Sequence, residues 1–408
     1  MIGHMNLMIT TILSAISLRG AARVMDLFCS TLLPEQIRIP SWYTSRLWLL
    51  KLGHYKLTRA KEHADDWIWI VDHSVQWGVE KCLLILGIRA KDLPKNRALA
   101  YHDLEPIELL PVTKSNGEIV YEQLIQAANK TGIPKSIVSD GGSDLSSGIK
   151  KFTADHKYTI YIYDIKHKVA LLVKEVLESD TAWASFIEFS SIAQSYMRQS
   201  DVAALAPPNQ RSKARYMNVD ILVNWAKKVL NIPEEKINKL FKTEEKERLL
   251  GWLDNFSDDI ERWTKIITIA DAVITFVSIN GLYRGITDDL INILPESPCG
   301  SIPDQFQEKI LTHLAYQEYR VYVGDTIVGS SDVIESVFGK FKNIEKEQSS
   351  SGFTNLLLAL PAILAETSAD IIKQAMEATK TIDVWNWLKN NIGHSVQAKK
   401  KMAFSSKI

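Results

Sequence analysis

The sequence has few cysteines, and none is spaced for a zinc site. Cys29, Cys82 and Cys299 are the three cysteines among 408 residues. They are far apart and odd in number, so neither a disulfide framework nor a C-x-x-C metal site is expected. A reducing, cytoplasmic setting fits this pattern best.

Other features are missing as well. The chain contains no G-x-x-x-x-G-K-[ST] phosphate-binding loop, which argues against ATP hydrolysis, and no G-x-S-x-G nucleophile elbow. No apolar run reaches the roughly 18 residues of a membrane span, so we expect no membrane partner. Lys and Arg together number 48, as do Asp and Glu. This balance excludes a wholly basic surface, but acidic residues elsewhere can mask a local basic groove.

The pattern of apolar residues and turn signals divides the chain into four regions. Residues 1–62 are predicted to be helical. The basic residues Arg19, Arg23, Arg46, Lys51 and Lys56 lie in or near three short helices. These helices are interpreted either as a helix-turn-helix that contacts DNA or as a packing domain with solvated basic side chains. Residues 63–180 are predicted to be α/β, residues 181–325 a mainly helical insertion, and residues 326–408 a further helical region.

The α/β region has a definite predicted order, strand-strand-strand-helix-strand-helix-strand. The predicted strands cover residues 67–71, 81–88, 107–112, 133–138 and 158–163, and the helices between the later strands cover 116–131 and 144–152. The connections through helices predict parallel pairing for the later strands.

Acidic residues follow two of these predicted strands. Asp72 comes directly after Trp67-Ile-Trp-Ile-Val71, and Asp140 precedes Gly141-Gly142. Each alone is most simply a turn residue. Carboxylates grouped at strand ends also suit Mg²⁺, which prefers hard oxygen ligands, and a pair of such ions supports phosphodiester cleavage.

The two aspartates in this strand order resemble the ribonuclease-H-like nucleases and the D-D-E transposases. The resemblance covers residues 64–345 and implies a mixed five-stranded sheet with flanking helices. It also implies Asp72, Asp140 and Glu335 as the catalytic, metal-binding carboxylates, with two Mg²⁺ ions for which Mn²⁺ can substitute. The implied partners are double-stranded transposon ends and target DNA, with a homodimer in the synaptic complex, in the bacterial cytoplasm near the nucleoid.

The third carboxylate is placed by a predicted helix at residues 330–343. Glu335 and Lys342 lie seven apart, on one face of that helix, and resemble the Glu-x6-Lys half of a signature in one bacterial transposase group. The resemblance implies that Lys342 contacts DNA phosphate. The other half differs, since Ser331 and Val328 replace an Arg and a Tyr. Asp332 and Glu345 are the alternative third carboxylates.

Two further segments could support the site. Asp164-Ile-Lys-His167 resembles the Cys-x-x-His motif of several transposase superfamilies, with Asp in place of Cys, which implies DNA contact or support of the active site. A metal ligand at Asp164 and a structural Asp–His pair are the alternatives. In the insertion, the predicted DNA-binding residues are Arg211, Lys213, Arg215 and Tyr216, since basic and aromatic side chains suit phosphate binding and base stacking; a solvated loop is the alternative.

The sequence therefore predicts a DNA transposase that hydrolyses transposon ends and transfers the 3′-hydroxyl to target DNA. One alternative is a ribonuclease-H-like nuclease or resolvase without strand transfer, which would use the same carboxylates. The other is a catalytically degenerate transposase derivative that only binds DNA.

Overall fold

The secondary structure comes from a computed structural model that describes residues 2–32, 39–77, 80–200, 202–209, 219–233, 235–236, 239, 243–348, 354–392 and 403–404. The strands are β1 (Trp67–Trp77), β2 (Glu80–Arg89), β3 (Glu105–Val112), β4 (Ser136–Ser139) and β5 (Ile160–Tyr163). The α-helices are α1 (Ile2–Leu13), α2 (Leu18–Leu32), α3 (Trp42–Thr58), α4 (Gly117–Thr131), α5 (Ser143–Asp155), α6 (Ile165–Glu178), α7 (Thr181–Met197), α8 (Val219–Leu230), α9 (Thr243–Leu250), α10 (Ser257–Asn280), α11 (Ile286–Ile291), α12 (Ile302–Tyr319), α13 (Asp332–Lys346), α14 (Leu360–Ile363), α15 (Ala369–Ala378) and α16 (Thr381–Asn391).

The chain forms two compact units. The first combines Met1–Asp164 with Ile327–Ile408, and the second is Ile165–Thr326. The first unit contains the sheet, the three N-terminal helices and α13 to α16. The second contains α6 to α12. The four-region division drawn from the sequence stays a prediction.

The sheet of the first unit has the strand order β3-β2-β1-β4-β5. Strands β1, β2 and β3 pair antiparallel, whereas β4 and β5 join β1 in parallel. This mixed five-stranded sheet with flanking helices has the ribonuclease-H-like arrangement, so the predicted fold class is confirmed. The parallel strands are linked by α4 and α5, as parallel neighbours require crossover connections.

Helices α4 and α5 cover one face of the sheet. Alternate side chains of the strands point to this face, and they form a buried core with the apolar stripes of the two helices. Its largest members include Trp69 and Phe152, both fully buried. Burying an apolar side chain of this size contributes about 1.5–3 kcal/mol, so the core fixes which face of each strand is apolar.

Local signals set the limits of α4. Asn116 accepts a hydrogen bond from the backbone N–H of Ile119 at 2.9 Å, which caps the start of the helix. The helix ends at Gly132, whose φ of 89° lies in the left-handed region that glycine tolerates. The predicted helix at residues 116–131 is thus confirmed.

The prediction that the first strand ends at Asp72 is wrong. Strand β1 continues to Trp77, because β2 pairs with it beyond the point where β4 stops, with Asp72 opposite Leu84 and His73 opposite Leu83. The fourth strand also begins later than predicted, at Ser136. Pro134 has no backbone N–H to donate to the sheet, which accounts for the late start.

Helix α10 is the long apolar helix of the second unit. It belongs to the helical stretch Glu247–Asn280, which is long and apolar enough by composition to cross a membrane. Trp263, Ile266 and Val273 of α10 are buried, and the helix packs against α6, α8 and α12. Burial of one face within the unit is what a core helix shows. Before it, a 3-10 helix at Gly251–Phe256 separates α10 from α9.

Candidate active site

Three aspartates lie within or directly after neighbouring strands: Asp72 within β1, Asp140 after β4 and Asp164 after β5. The last pair between β1 and β4 is Ile70 with Val138, and Asp72 and Asp140 each come two residues after their member of that pair. Ser139 of β4 stands opposite Tyr163 of β5, and Asp140 and Asp164 directly follow them. Because β1, β4 and β5 run parallel, all three residues lie towards the same edge of the sheet.

The same three residues share a face of the sheet. Trp69 and Val71, Ile137 and Tyr161 point into the core under α4 and α5. Side chains alternate along a strand, so Asp72, Asp140 and Asp164 have the parity of the opposite face. Helix α13, which contains Glu335, packs against β1. The topology therefore brings the two predicted strand acids together and puts the predicted helix beside β1.

The turn after β4 fixes the position of Asp140. Its Oδ1 accepts a hydrogen bond from the backbone N–H of Gly142 at 2.9 Å. Gly141 between them has a φ of 77°, and a Cβ there would collide with the ring of Tyr163. Glycine is needed here both for the left-handed backbone and for the close approach.

The Asp72 carboxylate is hydrogen-bonded to the backbone of its own strand, and the next residue, His73, belongs to a polar network. Asp72 Oδ1 accepts from the backbone N–H of His73 at 2.6 Å. The His73 ring points to the other face, where Nε2 lies 3.3 Å from Ser115 Oγ and Nδ1 lies 3.7 Å from Asp144 Oδ2. Lys81 Nζ donates to the same Asp144 oxygen at 2.8 Å.

Burial, hydrogen bonds and charges in this network shift the pKa values of His73 and Asp144. Burial is the main cause that lowers the pKa of His73, and the nearby carboxylates of Asp144 and Asp140 oppose it. Burial alone would raise the pKa of Asp144, but hydrogen bonds from Lys81 and Ser115 outweigh it and lower the pKa to about 2. His73 is therefore held neutral beside an ionised Asp144 near pH 7. No motif in the sequence pointed to this network.

Glu335 lies in the first turn of α13 and is half-buried, whereas Lys342, two turns further on, is exposed. The alternatives differ in burial: Asp332 is half-buried and Glu345 is buried. Within the described ranges, no three His, Cys, Asp or Glu side chains form a group that could hold a metal ion. The oxygen donors of Asp72 and Asp140 fit Mg²⁺, but a third carboxylate is not gathered with them, and Glu335 as third ligand stays a prediction.

Asp164 is fully buried and contacts the start of α13. Its Oδ2 accepts a hydrogen bond from Ser331 Oγ at 2.6 Å and another from the Ser331 backbone N–H. Ser331 stands where the related signature has Arg, and nothing in the sequence indicated that it would meet Asp164. His167 lies in the first turn of α6, in the second unit.

The remaining predicted DNA contacts divide into two groups. Arg211, Lys213, Arg215 and Tyr216 lie outside the described residues. In the N-terminal region, Lys56 is buried and donates to Glu105 Oε1 at 3.0 Å. The suggestion that Lys56 belongs to a set of solvated or DNA-contacting basic residues is therefore wrong, because α3 packs against β3 and encloses this side chain.

Comparisons with known proteins add one distant likeness. No protein-family model matches the chain, and no curated protein matches it. Among solved structures, it is similar to the structure entitled "Drosophila P element transposase strand transfer complex". The two share 14% sequence identity with a TM-score of 0.38, over 89% of this chain and 93% of that one. A TM-score this low does not decide the function.

Proposed function

We propose that the protein is a DNA transposase of the D-D-E type, which cuts transposon ends and joins the freed 3′-hydroxyl to target DNA. Asp72, Asp140 and Glu335 are the proposed catalytic and metal-binding carboxylates, with two Mg²⁺ ions as cofactor. The proposed partners are double-stranded DNA and a second copy of the chain, in the bacterial cytoplasm.

The parallel pairing of β1, which contains Asp72, with β4, which Asp140 follows, is the observation that supports this proposal most strongly. Carboxylates brought towards one another favour a bound cation, because like charges repel. Both have one oxygen fixed by a backbone N–H donor, at His73 and at Gly142. Such fixed donors are suited to a site whose ligands must hold their geometry.

The chain's own residues would orient the metal and the DNA. Mg²⁺ bound there would activate a water molecule or the 3′-hydroxyl of the DNA as nucleophile. It would also neutralise charge on the phosphate under attack. Asp72 and Asp140 would hold it from the sheet, and Glu335 would approach from α13. The exposed Lys342 on the same helix face would meet a DNA phosphate as a point charge.

Two alternatives use the same residues. A nuclease or resolvase without strand transfer would need the same carboxylates, so the acids do not separate the two activities. A degenerate derivative that only binds DNA would need neither Asp72 nor Asp140. The transposase is preferred because the helical second unit and the N-terminal helices add surface, which recognition of transposon ends requires.

The decisive test is DNA cleavage by carboxylate variants. We expect Asp72→Ala and Asp140→Ala to abolish nicking of supercoiled plasmid in Mg²⁺ or Mn²⁺, while binding to duplex DNA changes less than about threefold. The matched control is Asp155→Ala, which removes an exposed acid from the end of α5. EDTA should abolish wild-type activity, because without a cation the paired carboxylates repel the phosphate.

Full nicking by Asp140→Ala, or wild-type nicking that survives EDTA, would overturn the site. Joining of a 3′-hydroxyl oligonucleotide duplex to plasmid DNA separates the alternatives. Nicking without joining favours the nuclease, and binding without either favours the degenerate derivative.

A further inference from the structure

We infer that Asp164 is a positioning residue that fixes the helix carrying Glu335, by way of Ser331, and is neither a metal ligand nor a DNA contact. This inference rests on the proposed function, because it explains how the third carboxylate is oriented. The pair joins residues 167 positions apart in the chain, so it connects the end of β5 with the start of α13.

The contact is enclosed and doubly bonded. Asp164 has no exposed surface and Ser331 is 2% exposed. The Ser331 hydroxyl donates to Asp164 Oδ2 at 2.6 Å, and the backbone N–H of Ser331 donates to the same oxygen. A buried carboxylate is stable only when donors replace its water, and hydrogen bonds to a charged acceptor are the strong kind.

The position of Asp164 at the start of α13 favours a role for its negative charge in stabilising this helix. Ser331 is the N-cap of α13, yet its side chain makes no capping bond to its own helix. Its hydroxyl is bonded to Asp164 instead. The carboxylate thereby lies at the positive end of the helix dipole and satisfies one of the N–H groups that a helix start leaves open.

The pair acts on Glu335 through the helix geometry. Glu335 follows Ser331 by four residues, which places it about one turn away on the same side of α13. Asp164 directly follows β5, which pairs in parallel with β4, the strand that Asp140 follows. The end of β5 thus anchors the helix that carries Glu335, and a loose anchor would misplace this side chain.

Three substitutions separate positioning from metal ligation. Asp164→Asn keeps an oxygen that can accept both Ser331 donors, whereas Asp164→Ala keeps none and Ser331→Ala loses only the hydroxyl. We measure plasmid nicking against Mg²⁺ concentration, duplex DNA affinity, and hydrogen exchange of the α13 backbone. The control is Asp180→Ala, which removes the acid that caps α7 in the second unit.

We expect Asp164→Ala to raise the Mg²⁺ concentration for half-maximal nicking roughly tenfold and to speed exchange in α13, with unchanged DNA affinity. Ser331→Ala should show a smaller shift in the same direction, and Asp164→Asn should stay within about threefold of wild type. Asp180→Ala should leave both the Mg²⁺ requirement and α13 exchange unaltered.

Complete loss of nicking in a folded Asp164→Asn variant would overturn the inference, since the amide oxygen weakens the anchor but still accepts both Ser331 donors, whereas metal ligation depends on the charge. Unchanged exchange in α13 of Asp164→Ala would overturn it as well. If Asp164→Ala fails to fold, Ser331→Ala still tests the anchor. Faster exchange in α13 with no cleavage by the wild type would uphold the anchor and reject the proposed function.

Discussion

Replacement of Gly141 by alanine should destabilise the first unit and displace Asp140. The backbone at Gly141 has a φ of 77°, which costs an L-residue about 1–2 kcal/mol. The added Cβ would also overlap the ring of Tyr163, and overpacking of this kind costs typically about 1–3 kcal/mol. Together these give a loss of about 2–5 kcal/mol in the free energy of unfolding.

Gly142 next to it provides the matched control. Its φ is −46°, which any residue adopts, and the nearest atom to an added Cβ is Asp140 Oδ1 at 3.4 Å. Gly142→Ala should therefore change the free energy of unfolding by less than about 1 kcal/mol. Both variants are compared by urea unfolding followed by tryptophan fluorescence, and by plasmid nicking in Mg²⁺.

Nicking should fall with stability in Gly141→Ala, because the turn that directs Asp140 has to move. A Gly141→Ala variant as stable as wild type, or a Gly142→Ala variant that is the less stable of the two, would refute the turn geometry. The double variant with Tyr163→Ala should recover part of the nicking, as it removes the collision but leaves the backbone strain.

The remaining predictions concern three substitutions in the first unit. Glu105→Gln should lower the free energy of unfolding at pH 7 by about 3 kcal/mol, since it leaves buried cations unpaired. Burial would raise the pKa of Glu105, but neighbouring cations outweigh it and lower the pKa to about 2. Its contribution is therefore present above about pH 4.5 and lost as pH falls through about 2, so acid unfolding should be less steep in the variant. Gly53→Ala in α3 should lower the thermal midpoint, because the Cβ would meet the carbonyl of Leu358. Gly339→Ala in α13, with nothing within 4 Å, should be neutral or stabilising.

Several features were predictable because their causes are local. Apolar runs gave the strands of the sheet, and Asn116 and Gly132 mark the ends of α4 through capping and backbone geometry. The order of these elements predicts the ribonuclease-H-like sheet, since parallel neighbours need helical crossovers. Asp72 and Asp140 were singled out from the sequence for the same local reason, because each follows an apolar segment, and their role as site residues stays a prediction.

The rest depends on contacts between residues far apart in the chain. The sequence could not show that β1 runs past Asp72, because the pairing with β2 decides where that strand ends. Nor could it show that Lys56 is enclosed with Glu105, since a basic residue on a helix is usually solvated.

The three aspartates best illustrate the division between what the sequence indicates and what the tertiary structure decides. Sequence indicated which carboxylates adjoin apolar strand segments, because hydropathy and turn residues act over a few positions. Only the tertiary structure paired β1, β4 and β5, the strands that contain or precede Asp72, Asp140 and Asp164, and joined Asp164 to Ser331. Strand register and the packing of α13 are set by the whole core, and a local pattern contains no information on them.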